Sequence, residues 1–174
     1  GGGLHLSGGY DGLVALENNL FLGNYSTRGG GAYLYTVQGA ITVANNTLAH
    51  NYTTGDTDQN DGGGLRIETY FPQGVVNLYN DIFWTNTSDN GLGGDFYVDD
   101  NVSGVGSGAT VNVCNNNLRI FHCRVGDRLV TNGNLYRDPL FLDTNQANYR
   151  LRYGSPCLDA GTNLSTRGIT NDCD

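Results

Sequence analysis

A four-fold internal repeat constrains the fold of this chain more than any other feature of its sequence. Each copy opens with a glycine run and a short alternating apolar segment, as in GGGLHL (1–6), GGGAYL (29–34), GGGLRI (62–67) and the degenerate GLGGDFYV (91–98). A second block with paired Asn residues follows, as in LENNLFLGN (16–24), VANNTLAHN (43–51), LYNDIFWTN (78–86) and VCNNNLRIF (113–121). Repeats of this length indicate stacked units that bury their apolar faces against one another.

Within each copy, apolar residues alternate with polar ones, which predicts short β-strands separated by turns. Leu4 and Leu6 alternate with His5, and Leu65 and Ile67 alternate with Arg66. Three short strands per repeat describe one coil of a parallel β-helix, so we predict an all-β fold of about four coils. Residues 1–123 form these coils in the prediction, and residues 124–174 form an irregular capping segment of the same domain.

The paired Asn residues have a physical role in such a coil. Asn tolerates the left-handed backbone region that a sharp corner requires, and stacked side-chain amides can bond to one another as a ladder. We predict two sets of equivalent corner residues: Asn18, Asn45, Asn80 and Asn115, and then Asn24, Asn51 and Asn86.

The C-terminal region carries three short motifs in addition to the repeat. They are Asp138-Pro139-Leu140-Phe141, Tyr149-x-Leu151 and Gly154-Ser155-Pro156-x-x-Asp159-Ala160-Gly161. With the repeat, these motifs resemble the bacterial choice-of-anchor Q domain over nearly the whole chain. The resemblance implies a right-handed parallel β-helix of the pectate-lyase-like superfamily, on a secreted or surface-anchored protein. It implies no agreed activity and no catalytic residues.

Charge and hydropathy exclude two classes of partner. Nine basic residues face 17 acidic ones, which gives a formal net charge of -8. Nucleic-acid binding needs a basic face, so nucleic acid is not an expected partner. No apolar run reaches the length of a membrane-spanning helix, so no membrane span is expected. The length of 174 residues fits one domain.

The four cysteines favour an oxidising compartment. Cys114 and Cys123 form one local pair, and Cys157 and Cys173 form another. We predict these two pairs as disulfides that staple the cap, although four cysteines allow three connectivities and spacing does not choose among them. Disulfides place a protein outside the cytosol, so the expected location is extracellular or the cell surface.

One acidic loop is a candidate calcium site. Asp56, Asp58 and Asn60 match the first ligands of a calcium loop, with Asp61 beside them. The glycine of such loops comes one position late, and the bidentate Glu is missing from its place. The loop is therefore not an EF-hand, and a solvated acidic loop is the alternative. No other cofactor is expected.

The sequence favours a non-catalytic protein over an enzyme. The only adjacent carboxylate pair is Asp99-Asp100, which lies in a polar loop. Arg66 and Arg119 lie on predicted strands, without acidic residues at fixed offsets that would form a lyase site. Glycoside hydrolysis needs two carboxylates across one cleft, and the pattern does not supply them. No catalytic residue is assigned.

Six Asn-x-Ser/Thr sequons are candidate N-glycosylation sites in a host that performs this modification. They are Asn24, Asn45, Asn51, Asn86, Asn101 and Asn163.

The first predicted coil begins directly on a core strand, and the chain contains no Met. The chain is therefore expected to be a processed product or a piece of a longer polypeptide. An uncovered coil can pair with the rest of a longer β-helix or with a second copy, head to tail, and repeated pairing gives a filament. The leading expectation is a non-catalytic structural or adhesive module that assembles into a surface fibre. The alternatives are a β-helix that binds or cleaves polysaccharide, and an inert stalk repeat of a larger anchored protein.

Overall fold

The computed structural model describes residues 1–55, 61–69, 74–99, 109–123, 128–167 and 169. The first turn contains β1 (Leu4–Ser7), β2 (Leu13–Glu17), β3 (Leu20–Leu22) and β4 (Tyr25–Ser26). The second contains β5 (Ala32–Thr36), β6 (Ala40–Ala44), β7 (Thr47–Ala49) and β8 (Tyr52–Thr53). The third contains β9 (Leu65–Thr69), β10 (Val75–Tyr79), β11 (Ile82–Trp84) and β12 (Thr87–Ser88).

Two partial turns and a C-terminal region follow. The partial turns contain β13 (Phe96–Asp99), β14 (Thr110–Cys114), β15 (Phe121–Cys123) and β16 (Leu129–Asn132). The C-terminal region contains an antiparallel pair, β17 (Phe141–Asp143) and β18 (Asn148–Leu151), with short 3₁₀ turns at Thr144–Gln146 and Ser165–Arg167. The described residues include no helix long and apolar enough to cross a lipid bilayer.

Equivalent strands of successive turns pair in parallel and form four stacked sheets. Sheet A has the order β1-β5-β9-β13-β15, and sheet B has the order β16-β14-β10-β6-β2. Sheets C and D have three strands each, in the orders β11-β7-β3 and β12-β8-β4. This arrangement is a parallel β-solenoid of about three complete turns, so the predicted all-β β-helix is confirmed.

The solenoid differs from the predicted coil in two details. Complete turns have four strands, whereas the prediction had three. The prediction missed the strands of sheet D because two residues are too few to show an alternating pattern. The stack also continues past residue 123, since β16 adds to sheet B with Leu129 opposite Val111.

The core is a column of apolar side chains that the register places one above another. In sheet A, Leu34 lies between Leu6 and Ile67 of the neighbouring turns. In sheet B, Val76 lies between Ile41 and Val111. The period-two alternation of the sequence therefore becomes the inward face of each sheet, which is the packing that a single turn cannot achieve alone.

The predicted disulfide Cys114–Cys123 is not formed. Cys114 carries a free thiol and packs outside the turn, against the cluster that contains Leu164 and Ile169. Cys123 lies in a different sheet, sheet A, and packs against the main core. One side chain points outward and the other inward, so closeness in sequence does not bring the two sulfur atoms together. Cys157 also carries a free thiol, and its predicted partner Cys173 lies outside the described residues.

Candidate functional site

The first Asn of each paired block turns the chain at a corner. Their φ angles lie between 57° and 58°, which is the left-handed region that Asn tolerates better than most residues. These residues are Asn18, Asn45, Asn80 and Asn115. Gly133 holds the same place in the last partial turn, with φ 63°. Each corner passes the chain from sheet B towards sheet C.

The second residue of each block forms a side-chain ladder along the solenoid, the first ladder. Its rungs are Asn19, Asn46, Asp81, Asn116 and Asn134. The Oδ1 atom of each later rung accepts the backbone N–H of the rung before it, at 2.8–3.0 Å. We predicted stacking for the first Asn of each pair. In the structure, most of the stacking hydrogen bonds are instead made by the second residue of each pair.

A second ladder runs beside sheet C. Asn51 Oδ1 accepts from the backbone N and the Nδ2 of Asn24, at 2.9 and 3.1 Å. Asn86 Oδ1 accepts from the same two atoms of Asn51, both at 3.0 Å. The predicted second corner set therefore stacks as side-chain amides, with Asn51 and Asn86 buried. The left-handed residue of each corner, however, is the one before, which is Gly23, His50 or Thr85.

Asp95 ends the second ladder, a role that the sequence pattern did not predict. Its Oδ1 accepts from Asn86 Nδ2 at 3.3 Å. Its Oδ2 accepts the backbone N–H groups of Arg119 and Ile120 at 2.6 and 3.0 Å. Burial raises the pKa of Asp95, and these hydrogen bonds oppose the rise because they favour the carboxylate.

The ladders bear on the glycosylation candidates. The Nδ2 atoms of Asn51 and Asn86 are the atoms that a glycan would modify, and both donate within the buried ladder. A glycan at either position would remove these bonds and would not fit in the folded turn. Of the other candidates, Asn163 is exposed, Asn24 and Asn45 are half-buried, and Asn101 lies outside the described residues.

A C-terminal strap, residues 157–164, crosses the corner residues of the third and fourth turns. Asn80 holds it by accepting from Thr162 N at 2.8 Å and donating to Thr162 O at 2.9 Å. Asn115 Nδ2 donates to Ala160 O at 3.2 Å. A half-open cavity of about 750 Å³ lies between the strap and the ladder, with Asp81 in its wall.

Asp81 is the only carboxylate among the described rungs of the first ladder, and it is fully buried. Its Oδ1 accepts the backbone N–H and the Nδ2 of Asn46, both at 2.9 Å. Its Oδ2 has no hydrogen-bond partner among the described residues. Burial raises the pKa of Asp81 to about 7, against the lowering effect of the hydrogen bonds from Asn46 and from the Tyr79 backbone.

A buried charge cluster, the Arg66 cluster, lies on the outer face of sheet A. The Arg66 guanidinium pairs with Asp61, with Glu68 Oε1 at 2.6 Å and with Asp99 Oδ2 at 3.2 Å. Tyr33 donates its hydroxyl to Glu68 Oε2 at 2.6 Å, and burial followed by this bond raises the pKa of Tyr33. The sequence analysis found no acidic set around Arg66, but Asp61 and Glu68 lie within five residues of it along the chain, and only Asp99 comes from the next turn.

An aromatic column continues this outer face in both directions. The register aligns His5, Tyr33, Arg66, Tyr97 and His122 across the sheet. The rings of His5 and Tyr33 stack with centroids 4.6 Å apart, and those of Tyr97 and His122 stack at 5.2 Å. Arg66 lies over the Tyr97 ring at 5.1 Å, so the cation adds to the stack of Tyr97 and His122.

The remaining candidates are distributed as follows. Of the four calcium candidates, Asp56, Asp58 and Asn60 lie outside the described residues, and Asp61 is buried in its ion pair with Arg66. Across the described part of the chain, no three His, Cys, Asp or Glu side chains come together in a metal-binding group. Arg119 lies apart from the Arg66 cluster, over the ring of Tyr136 at 5.5 Å. Asp99 contributes to that cluster, and Asp100 lies outside the described residues.

The chain matches no known protein family, no curated protein and no solved structure.

Proposed function

We propose that this chain is a structural β-solenoid module of an extracellular or cell-surface protein. The observation that carries the proposal is the pair of side-chain ladders, which tie successive turns together in the same register as the backbone sheets. Ladders of this kind add bonds along the solenoid axis and resist sliding of one turn on the next. Such a rod suits spacing or adhesion, where stiffness matters more than chemistry.

The charged groups of the outer face support the same proposal. The Arg66 guanidinium meets three carboxylates, and Arg66 and Glu68 are buried. A lyase base or a hydrolase acid needs access to substrate, and these groups are directed at one another. The cluster is therefore better suited to holding turns together than to turnover.

Membership of the choice-of-anchor Q family is part of the proposal. Two of the motifs behind that resemblance contact each other, because Ser155 Oγ donates to Pro139 O at 2.6 Å. Asp159, in the sixth position of the last motif, adopts a left-handed φ of 55° just before the strap crosses Asn80. The motifs thus have a common structural task, which is to fold the strap onto the corner residues Asn80 and Asn115.

Self-association along the axis is the form of assembly that we propose. β1 and β2 are end strands of their sheets, and the core-facing Leu6 is exposed at this end of the column. Another turn, from the same polypeptide or from a second copy, would cover Leu6 and pair with these strands.

Sedimentation velocity over a concentration series, with electron microscopy of the same samples, tests this assembly. We expect association to increase with concentration, and Leu6→Lys to abolish it by placing a charge at the end of the apolar column. Leu13→Lys is the matched control, because Leu13 lies on the neighbouring end strand but points away from the core. Monomers at every concentration would contradict the assembly.

Polysaccharide binding is a second candidate function, favoured by the aromatic side chains on the outer surface. Tyr25 and Tyr52 are exposed and stack with centroids 5.4 Å apart, and His5 is exposed beside Tyr33. Aromatic rings with polar edges are typical of sugar-binding surfaces.

Titration with neutral and acidic oligosaccharides, followed by calorimetry, tests this second function. We expect Tyr25→Ala to weaken binding at least about tenfold, a loss of ~1.4 kcal/mol, if the ring contacts sugar. Tyr153→Ala is the control, since Tyr153 is fully exposed on the C-terminal region. Equal binding by both variants, or no binding by the parent chain, would rule the site out.

A further inference from the structure

In every described rung of the first ladder except Asp81, the side chain is an amide, and its Nδ2 atom occupies the same position in the turn. Asn46, Asn116 and Asn134 each donate from Nδ2 to a backbone carbonyl of the preceding turn, at 2.7–3.0 Å. Asn46 and Asn116 also donate from Nδ2 to the Oδ1 atom of the next rung. The Nδ2 place of a rung is therefore surrounded by acceptors, and it needs a donor.

Asp81 puts an oxygen atom in this place. Since its Oδ1 takes the two bonds from Asn46, Oδ2 occupies the position that Nδ2 has in the other rungs. The register makes Val43 the equivalent of Leu16 and Leu78, whose carbonyls accept from the neighbouring rungs. An ionised Oδ2 would meet these acceptors without a hydrogen, whereas a protonated carboxyl would donate as an amide does.

We propose that Asp81 is a protonated rung of the ladder in mildly acidic solution, and that its ionisation weakens the corner on which the C-terminal strap is held. The strap is affected because Asn80, which binds Thr162 through both side-chain atoms, is the residue before Asp81. The result is a pH-dependent element within a structural rod.

Among the described residues around Asp81, none of the ladder rungs is a cation that would hold its carboxylate ionised. The rungs that face it are the neutral amides of Asn46 and Asn116. The titratable side chains of the C-terminal region that line the cavity are Tyr149, Arg150, Cys157 and Asp159. Burial raises the pKa of Tyr149 and of Cys157, which keeps both neutral, while Arg150 and Asp159 are exposed on the open side of the cavity.

The sign of the pH effect follows from the direction of the shift. Burial raises the pKa of Asp81 to about 7 in the folded chain, above its ordinary value of 3.8. The folded state therefore holds the proton more tightly than the unfolded state does. Stability from this group is fully present below the ordinary carboxyl pKa, and it is lost as pH rises to the folded value.

Urea unfolding between about pH 4.5 and pH 9 tests the proposal on the parent chain and on Asp81→Asn. Asn supplies the missing donor at every pH. For the parent, we expect one proton to be released on unfolding between about pH 4.5 and pH 7, which raises the unfolding equilibrium constant by roughly tenfold per pH unit there, and no further pH dependence from this group above pH 7. We expect Asp81→Asn to remove this contribution and to be the more stable chain at pH 8. A variant that is less stable than the parent at pH 8 would overturn the proposal.

Asp95→Asn is the matched control, because Asp95 is also a buried carboxylate in a ladder. Both of its oxygen atoms already accept hydrogen bonds, so an amide in either orientation would place a donor against a donor. We expect Asp95→Asn to lose stability where Asp81→Asn gains it. A loss of stability in Asp81→Asn with a gain in Asp95→Asn, or the same loss in both variants, would show that the missing donor at Oδ2 is not the cause.

Two spectroscopic measurements on the parent chain keep the proposal testable without any substitution. The ¹³C resonance of the Asp81 carboxyl carbon should titrate near neutral pH, and ionisation at the ordinary carboxyl value would overturn the proposal. Hydrogen exchange of the Thr162 amide, which donates to Asn80, reports the strap. At pH 8 this amide should exchange faster in the parent than in Asp81→Asn, and equal rates would show that the strap does not respond to Asp81.

Discussion

Replacing Arg66 with Met is expected to destabilise the solenoid by about 3–5 kcal/mol, which is typical of removing one partner from a buried ion pair. The loss arises less from the missing attraction than from the carboxylates that remain. Asp61 and Glu68 are buried, and Asp99 is only slightly exposed at its side chain. Without the guanidinium they would face one another as unpaired negative charges.

The Arg66→Met deficit should depend on pH in a direction that the cluster determines. Burial and mutual repulsion raise the pKa of unpaired carboxyl groups, so the variant's folded state takes up protons more readily than the parent's. Its deficit should therefore shrink as the pH falls from about 8 to about 5, as measured by urea unfolding. A deficit that stays constant over this range would mean that the loss comes from packing alone.

Arg119→Met is the matched control for the Arg66 substitution. Arg119 is exposed and contacts the face of Tyr136, so its side chain makes a surface contact rather than a buried one. We expect a change within about 0.5 kcal/mol, as for most surface substitutions. A loss comparable to that of Arg66→Met would indicate that positive charge in general, rather than the cluster, stabilises the chain.

The sequence predicted those parts of the fold that one turn already encodes. Alternation within a strand specifies its inward face, so the core column follows from residues such as Leu34 and Ile67. The paired Asn residues predicted the corners because left-handed backbone is a local property. The stacking of Asn51 on Asn86 could also be anticipated, since equivalent positions in a solenoid lie one above another.

The candidate site could be predicted only in part, because it also depends on contacts between turns. Arg66 meets Asp99 across a separation of 33 residues, and nothing in the alternating pattern links the two. The spacing of equivalent Asn residues changes from 27 to 35 between turns, as seen in the bonds from Asn19 to Asn46 and from Asn46 to Asp81. The cysteine pairing was wrong at Cys114 for a related reason. Spacing along the chain does not tell which side of the turn a thiol occupies.

Phe96→Ala should cost about 3–5 kcal/mol, the usual range for truncating a fully buried aromatic side chain. The ring of Phe96 lies between those of Phe83 and Phe121, with centroids 5.6 and 5.0 Å away. It also stacks on Leu65 of the third turn, so it joins the complete turns to the partial turns that follow.

The cavity left by Phe96→Ala cannot close easily, and this places the expected loss towards the upper part of that range. β13 is held in register by β9 on one side and β15 on the other, so its backbone cannot move inward without breaking sheet bonds.

Because each turn of a solenoid is stabilised by its neighbours, the turns after β13 in Phe96→Ala should also unfold at lower urea concentration than the first three. Thermal and urea unfolding measure the total loss, and hydrogen exchange of β14 against β6 measures its distribution. The control is Tyr153→Ala, which removes a fully exposed ring and should leave the stability and the exchange rates unchanged. A loss below about 1 kcal/mol in Phe96→Ala would mean that the turns repack around the gap.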